Sequence, residues 1–176
     1  MRKEVDTFRY VVEANKLMRK DGIFLVAGGK DKPNTMTIGW GFLGTMWSRP
    51  VFVVAVRHSR HTYRLMEDAD SFTVCLPAEG MEAALDTCGN KSGRDMDKFK
   101  EMGFTEVKGV KVDAPYIKEC PVHFECKIVY TDDLKPGVLP GEIEQDVYST
   151  LNMHKLYYGQ ILGTYAEEDA DKKLMK

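Results

Sequence analysis

The chain carries no excess of positive charge: 25 lysines and arginines stand against 27 aspartates and glutamates, for a formal net charge of −2. Proteins that grip nucleic acid or anionic membrane need a surplus of cations, so neither is expected as a partner. No apolar run approaches the ~18 residues of a membrane span. The first residues, Met1-Arg2-Lys3-Glu4-Val5-Asp6, are charged and lead into no apolar segment, so no signal peptide is expected. Cysteine is sparse. Cys75, Cys88, Cys120 and Cys126 contain no C-x-x-C pair and are too few for a disulfide scaffold. They read as reduced thiols of a cytoplasmic protein. There is no internal repeat, low-complexity tract or linker. No G-x-S-x-G or H-E-x-x-H occurs, and no G-x-G-x-x-G is expected after a strand, which argues against a Rossmann dinucleotide site. The four histidines lack the cysteine or carboxylate spacing of a metal site.

What is present fits one globular domain over residues 1–176, because domains usually run ~100–200 residues. Hydrophobic residues make up 43% and charged residues 30%, ordinary for a folded domain with its own core. Asp6-Thr7 is placed to cap a first helix that sets Phe8, Val11, Val12, Asn15 and Met18 on one face and stops at Asp21-Gly22. Ile23 to Ala27 reads as a short buried strand ended by Gly28-Gly29, and Lys30-Asp31-Lys32-Pro33 as a turn. From Asn34 to Trp47 the residues Met36, Ile38, Trp40, Phe42 and Met46 alternate with smaller ones, which predicts one long strand. Val51 to Val56 is apolar on both faces and reads as a central strand.

A short helix is expected from Arg60 to Asp68 and a strand from Ser71 to Leu76. A third helix carries Met81, Ala84, Leu85 and Cys88 and ends at Gly89, and a fourth runs from Asp95 to Met102 and closes at Gly103. Strands are expected at Val110–Ala114, Val122–Thr131 and His154–Tyr165, with a loop over Leu134–Gly141. Strands outweigh helices and do not alternate with them. The expected fold class is therefore mainly β, a β-barrel with peripheral helices.

Three clusters carry chemistry. Arg57-His58-Ser59-Arg60-His61-Thr62 follows a buried strand and opens a helix, so cations, hydroxyls and unpaired N–H groups coincide as a phosphate dianion requires. The plainer reading makes Ser59 an N-cap and leaves the arginines in solvent. Asn34-Thr35-Met36-Thr37-Ile38-Gly39-Trp40-Gly41 has a small-residue side that a flat ring can approach, with the Asn34 and Thr37 side chains in reach of ring heteroatoms. Pattern alone favours a bent core strand with Trp40 inside. Cys88-Gly89-Asn90-Lys91-Ser92-Gly93-Arg94-Asp95-Met96-Asp97-Lys98-Phe99 offers further cations, with Lys98 placed to neutralise a phosphate, or else a solvated face of paired charges. His154 opens the last strand. A neutral imidazole there can hydrogen-bond a ligand, a protonated one can stabilise negative charge, and a lone histidine is commonly structural.

Taken in order, these stretches, with Leu156-Tyr157-Tyr158-Gly159-Gln160-Ile161 after His154, resemble the flavin reductase-like family in its flavoredoxin-type branch. Asn90-Lys91 departs from the threonine expected after Cys88-Gly89, and Leu134–Val147 has no clear counterpart. The resemblance implies an FMN-binding split β-barrel, usually a homodimer, with Asn34, Met36, Thr37 and Trp40 facing the isoalloxazine. It also implies Arg57, Ser59, Arg60, Thr62, Ser92 and Lys98 around the ribityl phosphate and its loop, and His154 near the flavin as the catalytic candidate. The implied activity is that of an FMN-dependent oxidoreductase: an NAD(P)H-dependent flavin reductase with NADH or NADPH as co-substrate, or a flavoredoxin-type electron-transfer protein with small-molecule or protein donors and acceptors. The alternative is an FMN-binding or storage protein without turnover.

Overall fold

The computed structural model describes residues 1–28 and 32–176. Its strands in chain order are β1 (Arg2–Val5), β2 (Ile23–Ala27), β3 (Asn34–Ile38), β4 (Gly41–Met46), β5 (Arg49–Arg57), β6 (Ser71–Leu76), β7 (Glu106–Val107), β8 (Tyr116–Ile117), β9 (Val122–Asp133) and β10 (His154–Glu167). The helices are α1 (Val11–Lys20), α2 (His61–Glu67), α3 (Glu82–Asn90), α4 (Lys98–Met102), α5 (Gly141–Tyr148) and α6 (Ala170–Lys173). One antiparallel sheet runs β3-β2-β6-β9-β10-β5-β4, with β1 alongside the far end of β10, and β7–β8 form a separate ribbon. The two ends of this path, β3 and β4, are consecutive in the chain. Gly39-Trp40 carries the backbone from one end to the other, and no ladder joins β3 to β4 among the described residues. The fold is thus a mainly β, split barrel with peripheral helices.

The strands form where burial demands them. β2 and β6 are buried along their whole length, and Val51 to Val56 of β5 is buried between β10 and β4. Phe24, Phe52, Phe72, Phe124 and Tyr157 fill the interior, with Phe52 and Phe124 meeting edge to face at 5.5 Å. A polar network seals the opposite side. Arg2 Nη1 lies 2.7 Å from His123 Nδ1, and His123 Nε2 lies 3.2 Å from Glu125 Oε1. The Glu125 carboxylate also accepts from the backbone N–H groups of Val110 and Lys111. Tyr116 stacks on His123 with centroids 3.8 Å apart. Burial lowers the His123 pKa, so the ring is neutral: it accepts from Arg2 and donates to Glu125.

Several expectations need correction. The long strand expected over Asn34–Trp47 is two strands at opposite ends of the sheet, because the chain must cross the split. A Cβ on Gly41 would lie 2.4 Å from the Val53 carbonyl oxygen, so only glycine lets β4 start this close to β5. The corner also turns the even-numbered residues outward: Met36 and Ile38 are buried, whereas Trp40, Phe42 and Met46 are exposed. Contrary to expectation, a G-x-G-x-x-G does follow a strand: Gly39, Gly41 and Gly44 come directly after β3, but they lead into β4 and not a helix, so the Rossmann exclusion stands on the helix it lacks.

The first helix starts at Val11, since Asp6 is used in a turn with Phe8 and Arg9. Its buried face is Ala14, Leu17 and Met18, not Val12 and Asn15. Residues Val110–Ala114 form no strand, because the N–H groups of Val110 and Lys111 serve Glu125 and that of Ala114 serves the Ser71 hydroxyl. α3 runs one residue past Gly89, and α4 starts at Lys98 with Asp97 as its N-cap. β1, β7, β8, α5 and α6 have no counterpart among the expected elements. The strand end at Gly28-Gly29 and the turn at Lys30–Pro33 fall partly on residues 29–31, outside the described residues.

Candidate functional site

Two adjoining clefts open beside β3, and Met36 and Arg60 line both. The first, about 210 Å³, is walled by Met36 to Trp40, Ala55, Arg57, Arg60 and His154. The second, about 130 Å³, is formed by Asn34, Met36, Ser59 to Thr62, Cys88, Asn90 to Arg94 and Lys98. Together they lie near the lower end of the ~300–1,000 Å³ of small-molecule pockets. Every site residue expected from the sequence lines one of them. Asn34, Ser59, Thr62, Ser92 and Lys98 line the second, and Thr37, Trp40, Arg57 and His154 line the first.

The second cleft is cationic. Lys98 is only 3% exposed, yet its ammonium donates to a neutral partner, the Cys88 carbonyl, at 2.7 Å. Burial pulls its pKa down, and Arg60 repels its charge. Arg60 donates to the Gly89 carbonyl at 2.8 Å, and Arg94 to the Ser59 carbonyl at 3.2 Å. No carboxylate among the described residues pairs with Arg60, Arg94 or Lys98. Each guanidinium has five N–H donors, so most of those on Arg60 and Arg94 remain available. Asn34 Nδ2 donates to the buried Thr62 hydroxyl at 2.8 Å, fixing β3 against α2. A Cβ on Gly93 would meet Asn34 Oδ1 at 2.3 Å and His61 Cδ2 at 2.7 Å, so the loop lies tight against the cleft floor.

Arg57 lies outside the cationic cleft in which the resemblance implied it, and the plainer reading of Ser59 as an N-cap does not hold. Arg57 lines the first cleft only, and its guanidinium holds the carbonyls of Asn152 at 2.8 Å and Val147 at 3.2 Å. Ser59 is not the N-cap of α2; Arg60 is, and Ser59 Oγ accepts from Asn152 Nδ2 at 2.9 Å. Both residues strap the segment after α5 to the site. The Thr37 hydroxyl is also engaged, donating to the Leu85 carbonyl of α3 at 2.6 Å.

The first cleft is flatter and more aromatic. Trp40, 47% exposed, lies 4.7 Å centroid to centroid from His154, with Arg57 over its ring at 5.9 Å. Burial first, then Arg57, Arg60 and His58, lowers the His154 pKa to about 4. His154 is therefore neutral near pH 7, and the protonated alternative is not its resting state.

Sequence reasoning passed over three residues here. His61 and Arg94 line the cationic cleft although neither was singled out as a ligand, and both sit inside the motifs that pointed to it. Tyr148, whose hydroxyl is 2.8 Å from His154 Nδ1, comes from α5 and had no signal in the sequence pattern.

The family model of the flavin reductase like domain matches residues 19–175. An uncharacterised protein of Archaeoglobus fulgidus is 33% identical over 106 residues, which cover 60% of this chain and 59% of that protein. Flavoredoxin of Desulfovibrio vulgaris (Miyazaki F) superposes with a TM-score of 0.67 at 25% identity, covering 88% of this chain and 75% of that one. Flavoredoxin from Methanosarcina acetivorans does so with a TM-score of 0.65 at 29% identity, covering 84% and 69%. Among the described residues, no helix is long and apolar enough to cross a membrane. With the family model spanning nearly the whole barrel, the chain belongs to the flavin reductase-like domain family.

Proposed function

We propose that this protein binds FMN, with the phosphate in the cationic cleft and the isoalloxazine in the neighbouring one, and works as an FMN-dependent oxidoreductase of the flavin reductase or flavoredoxin type. One observation carries the reading. The buried Lys98 ammonium has no carboxylate partner among the described residues, and it lies with Arg60 and Arg94 in a cleft that continues past Met36 into a second one. A buried unpaired charge is costly, and a phosphate dianion offsets it with charge-assisted hydrogen bonds. Membership of the family supports a flavin-related oxidoreductase function, and the two structural relatives above are flavoredoxins by name.

The residues present fit the group. The cationic cleft supplies cations and the hydroxyls of Ser59 and Ser92, and the close packing of Gly93 on Asn34 and His61 holds the Ser92–Arg94 loop at its edge. Bound flavin supplies the electron-transfer chemistry. The chain's own part is to bind and orient. Arg60, Arg94 and Lys98 hold the phosphate, Met36 and Trp40 flank the ring, and His154 offers a neutral polar contact. The positive side chains around both clefts favour a ligand that gains negative charge on reduction.

The reading includes a homodimer. Trp47, Tyr130 and Tyr158 form an aromatic cluster with centroids 5.2 to 6.2 Å apart, and exposed Phe42, Met46 and Val129 extend the apolar surface. Apolar patches of this kind mark subunit contacts. Light scattering should give twice the chain mass, and Trp47→Asp should halve it.

Anaerobic stopped-flow mixing of the FMN-loaded protein with NADH and NADPH tests the activity. Rapid bleaching of the flavin band supports a reductase, and bleaching only with a reduced protein donor supports a carrier. No bleaching with any donor leaves a binding or storage protein and removes the oxidoreductase reading.

A further inference from the structure

Of the side chains in the ring-side cleft, His154 is one whose two nitrogens have different surroundings. Nδ1 meets the Tyr148 hydroxyl at 2.8 Å in a buried contact. Nε2 has no protein partner among the described residues, and the ring lines the cleft. Tyr148 is itself buried, and burial raises its pKa, so its oxygen keeps the proton. A phenol O–H facing a neutral imidazole nitrogen makes its best bond by donating to the lone pair, which leaves the imidazole proton on the other nitrogen.

We infer that Tyr148 is a positioning residue: its hydroxyl donates to Nδ1 and locks His154 as the Nε2–H tautomer, so that the cleft presents one neutral hydrogen-bond donor to an acceptor atom of its ligand. The acceptor class is a ring carbonyl oxygen or an unprotonated ring nitrogen. An anion is met by the other cleft. The ligand contact rests on the flavin reading, whereas the tautomer does not.

Arg57 supports the same arrangement. By holding the Val147 and Asn152 carbonyls it fixes the residues on either side of the α5 terminus, and its guanidinium lies 5.4 Å over the Tyr148 ring. The charged and titratable groups around His154 are Arg57 on β5, His58 after it, Arg60 at the start of α2 and Tyr148 on α5. Burial first, and then the cationic Arg57 and Arg60, oppose a second proton on the ring. The donor is therefore neutral near pH 7.

Nitrogen-15 NMR of histidine-labelled protein without flavin reads the tautomer directly. The expected result is a protonated Nε2 and an unprotonated Nδ1 for His154 from pH 6 to 8. In Tyr148→Phe the Nδ1–H form should appear as a mixture, and FMN affinity should fall roughly three- to tenfold, as for loss of a positioned neutral hydrogen bond worth ~0.5–1.5 kcal/mol. A His154 proton on Nδ1 in the unmodified protein overturns the inference, as does an unchanged tautomer in Tyr148→Phe. If the tautomer is as stated but FMN does not bind, the flavin reading fails and the positioning role stands. Should Tyr148→Phe not fold, Arg57→Ala, which loosens α5 and keeps the phenol, should show the same mixture in weaker form.

Discussion

Lys98 Nζ donates to the Cys88 carbonyl at 2.7 Å, and no carboxylate among the described residues neutralises it. A buried lysine held by one carbonyl is a poor device for stability and a good one for holding an anion. The two roles make opposite predictions for the same substitution.

Lys98→Met should weaken FMN binding about 10- to 100-fold, from the loss of a charge-assisted hydrogen bond of ~1.5–3 kcal/mol. The flavin-free protein should be as stable or more stable, because an apolar side chain replaces a buried unpaired charge. Fluorescence titration with FMN and urea unfolding of the apo form measure the two arms. A loss of stability with unchanged FMN affinity would make Lys98 purely structural.

Arg57 and Arg60 should separate. Arg60 lines both clefts, and Arg60→Ala should lower FMN affinity about tenfold or more with little change in backbone protection. Arg57 holds the backbone after α5, so Arg57→Ala should raise amide hydrogen exchange across residues 141–153. Exchange mass spectrometry on the two variants distinguishes a ligand cation from a strap.

Much of this was legible in the chain. β2, β5, β6, β9 and β10 announce themselves because each is a run of apolar or alternating residues that burial requires. The motifs around Arg60, Ser92 and Lys98 gather cations and hydroxyls that local sequence shows directly. The split at Gly39-Trp40 was not legible, because period-two alternation continues unbroken through it while the chain changes sheet edge. Nor was Arg57's strap: its partners are backbone carbonyls about 90 residues away, and no side-chain pattern records a carbonyl acceptor. Tyr148 escaped for a related reason, since α5 is a short acidic helix packed through one buried tyrosine.

The acid limb of stability should carry a histidine signature. His154 titrates near pH 4 in the folded state, against about 6.5 unfolded. Between these values the unfolded chain binds more protons, so stability falls as pH drops from 6.5 towards 4 and is unaffected by this group at neutral pH. The full loss is on the order of 3 kcal/mol. His61 and His123 are lowered by burial as well and act in the same direction. In His154→Gln, urea unfolding from pH 4 to 6.5 should show a pH slope shallower by up to one proton, about 1.4 kcal/mol per pH unit.

The Arg2–His123–Glu125 network should matter for stability and not for the clefts. Arg2→Ala leaves His123 and the Lys118 and Cys120 carbonyls without their donor, and it should cost about 2–4 kcal/mol by urea unfolding. FMN affinity of the folded fraction should be unchanged. A drop in affinity equal to that of Lys98→Met would show that the network reaches the cleft.

The central claim is that the cleft of Arg60, Arg94 and Lys98 holds the phosphate of a flavin. Parallel titrations of the apo protein with FMN and with riboflavin, which differ only in that phosphate, test it most directly. FMN should bind at one per chain and at least tenfold more tightly than riboflavin, with the difference reduced in Lys98→Met. Equal affinity for the two flavins, or binding of neither, would contradict it.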